Sequence, residues 1–230
     1  MSLQPLNTET AESLPPVQRA GRITDTVHEA LREAIFAGQL KPGTKLSVPA
    51  LAKQLGVSRS PVREAVARLA QENLAVEETR RGAVVARIGT ADLARLYEIR
   101  EVLEGLATRL AVEHSGKKLV TELEGILREH RQAIDDHSAA AHTRADMRFH
   151  QVIREASGNP GLIELLKGLQ AQVRLAMVTT TVTAGPVLAL ADHHAIFEAI
   201  RKADPEAAEQ AARAHIARLR HNLEGVAKRT

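Results

Sequence analysis

From Leu93 onward, apolar residues recur at the spacing of one helix face, and only breaker residues interrupt the rhythm. Leu93, Leu96, Ile99, Leu103, Leu106 and Leu110 keep helical period, and Leu119, Leu123, Ile126, Leu127 and Ile134 carry it through a second segment. Further helices are expected over roughly 142–156, 161–183, 187–203 and 205–227, punctuated by Gly158-Asn159-Pro160-Gly161, Gly185-Pro186 and Asp204-Pro205. Such segments can bury their stripes only against one another. Residues 89–230 are therefore expected to form an all-helical bundle of about six helices. The Thr179–Thr183 cluster either ends a helix or lines a pocket.

The first part of the chain follows a different grammar. Met1 to about Val17 is polar and proline-bearing, and is expected to be a flexible tail. Over 18–88, Ile23, Val27, Leu31 and Ile35 mark one helix, and Pro49 to Leu55, stopped by Gly56, marks a second. Ser60-Pro61 then opens a third, with Ser suited to the N-cap and Pro to the first helical position. Leu74-Ala75-Val76 and Ala83-Val84-Val85-Ala86 flank a charged, Gly-containing turn and are expected to pair as a β-hairpin. Helix, helix, turn, helix, hairpin is the order of a winged helix-turn-helix. The fold class is thus mainly α: a winged head with a small β-hairpin wing, followed by the bundle.

Charge separates the two parts as well. Residues 17–89 carry 12 Lys/Arg against 7 Asp/Glu, whereas residues 90–230 carry 19 of each. A basic excess confined to the head points to a polyanion partner. The chain has only four aromatics, Phe36, Tyr97, Phe149 and Phe197, which argues against base-stacking readers of single strands or RNA. It has no cysteine, which excludes disulfides, thiolate metal sites and cysteine nucleophiles and fits a cytoplasmic protein. Neither a signal peptide nor a membrane span is expected.

Double-stranded DNA is therefore the expected partner of the head. On the third helix, Arg59, Ser60 and Arg63 lie opposite the apolar Val62, Val66 and Leu69, where a recognition helix needs its polar face. Arg59 or Arg63 can form a fork on a guanine edge. Arg80, Arg81 and Gly82 form the wing tip, suited to the minor groove. The alternative is that these arginines merely solvate a surface. The run Leu55-Gly56-Val57-Ser58-Arg59-Ser60-Pro61-Val62-Arg63-Glu64-Ala65, with Arg68-Leu69 and Arg80-Arg81-Gly82, closely resembles the GntR family of bacterial transcription regulators. Gly38-Gln39-Leu40-Lys41-Pro42-Gly43 and Leu46-Ser47 fit the same pattern. The resemblance implies DNA contacts from Arg59, Ser60, Arg63 and Gly82. Val48-Pro49 stands where the family often carries an acidic-then-basic pair, so the operator sequence does not carry over.

Nine of the ten histidines lie after residue 100. Asp146 and His150 are four apart on one predicted helix and share a face. His193 or His194 lies on a later helix and His215 on the last. One carboxylate with three imidazoles suits a divalent transition metal such as Zn, Ni, Mn or Fe. Spacing alone also allows ordinary surface or core histidines, the reading given to His28, His114, His130, His137, His142 and His221. The bundle resembles the FCD domains of the FadR subgroup, on Asp146-Met147-Arg148-Phe149-His150, Gly158-Asn159-Pro160, Asp192-His193-His194-Ala195-Ile196 and His215-Ile216. That resemblance implies Asp146, His150, His193 and His215 as metal ligands, with His193 preferred to His194. Arg100, set among Leu96, Ile99 and Leu103, is either a surface partner of Glu104 or a fork for the carboxylate of an organic-acid effector.

The expectation is a homodimeric transcription regulator on a palindromic operator, a repressor more than an activator, and not an enzyme. A small carboxylate bound at the metal would control it. A regulator sensing the metal itself, a metalloenzyme with a DNA-binding head, and a bundle that only dimerises are the competing readings.

Overall fold

The computed structural model describes residues 20–178 and 186–227. The flexible tail expected at 1–17 and the Thr179–Thr183 cluster lie outside the described residues.

The head contains three helices and a hairpin: α1 (Ala20–Phe36), α2 (Val48–Leu55), α3 (Arg59–Gln71), β1 (Ala75–Glu78) and β2 (Gly82–Val85). Gly56 ends α2 in the left-handed region, φ 66°, where its N–H bonds the Ala52 carbonyl. α3 begins two residues earlier than the Ser-Pro signal indicates, with Ser58 rather than Ser60 in the capping position. β1 and β2 pair antiparallel, Ala75 opposite Val85 and Glu78 opposite Gly82, and a single bridge from Lys45 to Val84 ties the turn after α1 to the wing. Val27, Leu31, Ile35, Leu46, Val62, Ala65, Leu69, Leu74 and Val85 are buried in one apolar core. Val27, Leu31 and Ile35 on α1 and Val62, Ala65 and Leu69 on α3 are inward positions of the helical period, whereas Ile23 at the start of the α1 stripe is 50% exposed.

The bundle follows as α4 (Thr90–His114), α5 (Lys117–Asp135), α6 (Ala139–Ala156), α7 (Pro160–Met177), α8 (Pro186–Arg201) and α9 (Pro205–Ala227). The six expected helices are all present. Asn159 caps α7 by accepting from the Leu162 N–H at 3.1 Å, and Ser138 caps α6 through the Ala141 N–H at 3.3 Å. α4 packs along α9 as the most extensive helix pair. Gly105 allows that approach, since a Cβ there would meet Arg213 Cγ at 2.6 Å.

α4 turns a different face inward from the one its leucine period suggests. Leu93, Tyr97, Arg100, Glu104, Ala107, Thr108 and Ala111 are buried, whereas Ile99, Val102 and Leu106 are 50%, 52% and 39% exposed. The period identifies the helix correctly, but the polar residues beside the stripe hold the interior. Arg100 and Glu104 can be buried because they pair with each other and with Arg154.

The two parts share one element. Ala171 and Leu175 of α7 belong to the core of the head, while Val173 and Ala176 of the same helix pack with Leu93 and Tyr97 in the bundle. Among the described residues, no helix is long and apolar enough to cross a membrane.

Candidate functional site

Two regions bring chemistry-bearing side chains together. On the head, Arg59, Ser60 and Arg63 are exposed along α3, opposite buried Val62, Ala65, Val66 and Leu69. Arg63, Arg80, Arg81 and Gly82 line one surface groove with Lys45, Ser47 and Glu77, so α3 and the wing tip border the same space with basic residues in excess. The wing tip is tightly turned: Arg80 has φ 69° and Gly82 has φ 73°. Open space lies where a Gly82 Cβ would stand, so it is the backbone conformation that favours glycine there. Arg81 bonds Glu78 at 2.8 Å, which holds the wing but leaves the guanidinium half-exposed. Ser60 leans toward Glu64 at 3.3 Å, and Glu64 in turn accepts from Thr24 Oγ1 at 3.0 Å, locking α3 to α1. Arg68 is also pinned, by Asp25, which sets it apart from the free Arg59–Arg63 face.

In the bundle, His150 on α6, His193 on α8 and His215 on α9 each offer a nitrogen within 4.8 Å of the others, and all three are buried. Asp146, one turn before His150, places Oδ1 3.5 Å from His193 Nε2. The structure thus brings together all four residues singled out in the sequence. His194, the competitor of His193, is exposed.

The surroundings of the imidazoles fix their orientation and charge. Burial, reinforced by the neighbouring rings, holds His150 and His193 well below the usual imidazole range, so both are neutral with free lone pairs. Phe149 stacks on His193 with ring centres 4.2 Å apart and fixes its plane. His215 Nδ1 bonds Asp192 Oδ2 at 2.9 Å, and Arg218 pairs with the other Asp192 oxygen. That bond makes Nδ1 the donor and turns the bare Nε2 toward His150 and His193. His215 Nε2 and both His193 nitrogens are buried without a hydrogen-bond partner among the described residues. Buried polar atoms left unbonded carry a cost of about 1–3 kcal/mol each. Three convergent imidazole nitrogens beside a carboxylate fit a divalent transition ion. Burial also raises the Asp146 carboxyl, a penalty that a cation at this point would remove.

A cavity of about 880 Å³ opens onto this cluster and is walled by Tyr97, Arg100, Asp146, His150, Gln170 and His215 among others. Arg100 is 3% exposed and gives Nη2 to Glu104 at 2.8 Å. The pairing with Glu104 therefore exists, but it is buried rather than superficial. Arg154 claims the same carboxylate, with Nε to Oε2 at 3.0 Å. Burial alone would raise Glu104, but Arg154 and Arg100 more than offset it and hold the carboxylate below its usual range. Of these three groups only Arg100 lines the cavity, where Arg174 also stands, so the wall carries two guanidiniums against the carboxyl of Asp146. Arg100 Nε has no partner among the described residues.

Glu104 is foreseen only as a surface partner of Arg100, and the roles of Arg154, Gln170 and Asp192 are not foreseen from the sequence. Part of the signal was there: Asp146, His150 and Arg154 step by four along α6, as Arg100 and Glu104 do on α4. The contacts of His130 and His142 are not foreseen either. His130 Nε2 lies 2.6 Å from His142 Nδ1, and the His130 ring sits against His193.

Comparison with known proteins agrees with this geometry. Residues 23–85 match the bacterial regulatory proteins of the gntR family, and residues 95–218 match the FCD domain. The HTH-type transcriptional regulator YdhC of Bacillus subtilis is 32% identical over 86% of this chain and 91% of its own. The HTH-type transcriptional repressor RspR of Escherichia coli is 27% identical over 87% and 89%. The solved structure of E. coli McbR/YncC superposes with a TM-score of 0.71 at 26% identity, covering 88% of this chain and 97% of that one. Regulators, not enzymes, are what both halves match. A winged head on a histidine-bearing bundle, matched over most of its length by such proteins, places the chain in the GntR family of bacterial transcription regulators, with an FCD domain as its second half.

Proposed function

We propose that the protein is a metal-containing, ligand-responsive repressor. The observation that carries this reading is the convergence of three buried histidines and Asp146 at the wall of a cavity whose other charged residues sum to positive. A bound divalent ion would be held by Asp146, His150, His193 and His215, and would supply open coordination positions to an anionic ligand. Arg100 lines the same space and would orient a carboxylate there. The name of RspR supports repression. Arg59, Ser60, Arg63 and Gly82 would meet bases and phosphates, with Arg80 and Arg81 at the minor groove.

The exposed Ile99, Val102 and Leu106 of α4 form an apolar stripe that a second copy would cover, giving two heads for a palindromic operator. A ligand then acts by binding one arrangement of the heads more tightly than another.

Metal analysis of the purified protein and His150→Ala tests the site: near-stoichiometric metal in the first and little in the second is expected, and equal content in both overturns the assignment. A gel shift on the protein's own promoter region should show salt-sensitive, sequence-preferring binding. A metal-dependent change in that binding with no organic acid present would instead make the metal the signal.

A further inference from the structure

The cavity does not end at the histidines. It extends along α7 to the junction with the head, where Arg174, Met177 and Phe36 form its wall. Gln170 lies one turn, about 5.4 Å, before Arg174 on the same helix face. Gln170 accepts from Arg154 Nη2 at 3.2 Å, at the cavity's inner end. Arg174 thus stands toward the outer end, facing the same space.

Its company there is unusual for a cation. The guanidinium carbon sits 3.9 Å from the centre of the Phe36 ring, at the last residue of α1. Arg32 lies over the same ring at 5.5 Å. No carboxylate lies within ion-pair distance of Arg174 among the described residues. Burial accordingly depresses its pKa, with Glu33 only partly compensating. A half-buried cation that lines a cavity and rests on an aromatic face without an ion-pair partner binds an anion more strongly than it binds that face.

We propose that Arg174 is a second anion subsite of the cavity, filled by the far acidic group of a two-ended effector, which takes the guanidinium from the Phe36 ring of the head. This rests on the reading of the cavity as the effector site. The ligand class is then a small dicarboxylate: one end at the histidine and Arg100 wall, the other at Arg174. Because Phe36 belongs to the head, filling the subsite weakens a contact between head and bundle. Effector and DNA are thereby coupled through one shared side chain.

Calorimetric titration of the full-length, metal-loaded protein tests this with succinate, glutarate and adipate against butyrate, pentanoate and hexanoate. At least one dicarboxylate should bind about tenfold more tightly than its length-matched monoacid, the scale of one charge-assisted contact. Arg174→Gln should abolish that preference while monoacid affinity stays. Phe36→Leu should raise dicarboxylate affinity, a gain that misfolding does not produce. If acids bind but none of the diacids is preferred, or the preference survives Arg174→Gln, the subsite is wrong and the effector reading stands. If Phe36→Leu leaves the diacid affinity unchanged, the competition with the ring is wrong. If none of the acids binds the metal-loaded protein, both the subsite and the effector reading fall.

Discussion

The head and the bundle solve burial in opposite ways. The head packs an aliphatic interior, part of it filled by Ala171 and Leu175 of α7, keeps its arginines outside, and buries no charged residue among those described. The bundle buries Arg100, Glu104, Arg154, Asp192 and three clustered histidines, and leaves Ile99, Val102 and Leu106 in the open. An apolar core is complete in a single chain. A polar interior with unbonded nitrogens, set behind an apolar exterior stripe, belongs to a part that is finished by other molecules.

The sharpest way to break this contrast is Glu104→Gln. It leaves Arg100 and Arg154 buried without their carboxylate, and loss of about 3–5 kcal/mol is expected, read from urea unfolding. A loss below 1 kcal/mol would mean that the bundle interior is wetter than described. Next is Asp192→Ala, which removes the acceptor that orients His215. Metal affinity should drop about 10–100-fold, measured by competition with a chelator, with the fold retained. An unchanged affinity would reduce Asp192 to a partner of Arg218.

On the head, Arg63→Ala should cost about 1–3 kcal/mol of operator binding if the guanidinium reads a base edge, while unfolding stability moves by less than about 0.5 kcal/mol. A large stability change would place Arg63 in the architecture instead. The smallest effect is in pH. Burial and the neighbouring His142 lower His130 from its usual 6.5 to about 4, and His150 and His193 are displaced in the same direction. The unfolded chain therefore takes up these protons first, so stability is intact above pH 6.5 and falls as the pH drops toward 4. Asp146, raised by burial, works in the opposite sense and softens the slope. Urea midpoints in chelator should decline across that interval; a flat profile would mean that the imidazoles are solvated.

The same contrast explains what could be read from the chain. The head was legible because residue type predicts location there: Val62 and Leu69 inside, Arg59 and Arg63 outside. The helices of the bundle were legible from period and breakers. The inward face of α4 was not, since a scheme that places leucine inside has no means of placing Arg100 and Glu104 there. Their burial depends on Arg154, fifty residues away. The four expected metal-site residues came together because motif and helix spacing coincide. Asp192 remained hidden because its role depends on which nitrogen of His215 it meets.

The shared helix has a consequence for how the molecule is made. The head is synthesised first, yet Ala171 and Leu175, which fill part of its core, leave the ribosome only after α4, α5 and α6. Until α7 arrives, the nascent head must wait with an apolar face uncovered. A chain cut after residue 88 would stay in that waiting state, and a stop codon anywhere before α7 would release a reader of DNA that has lost part of its own floor.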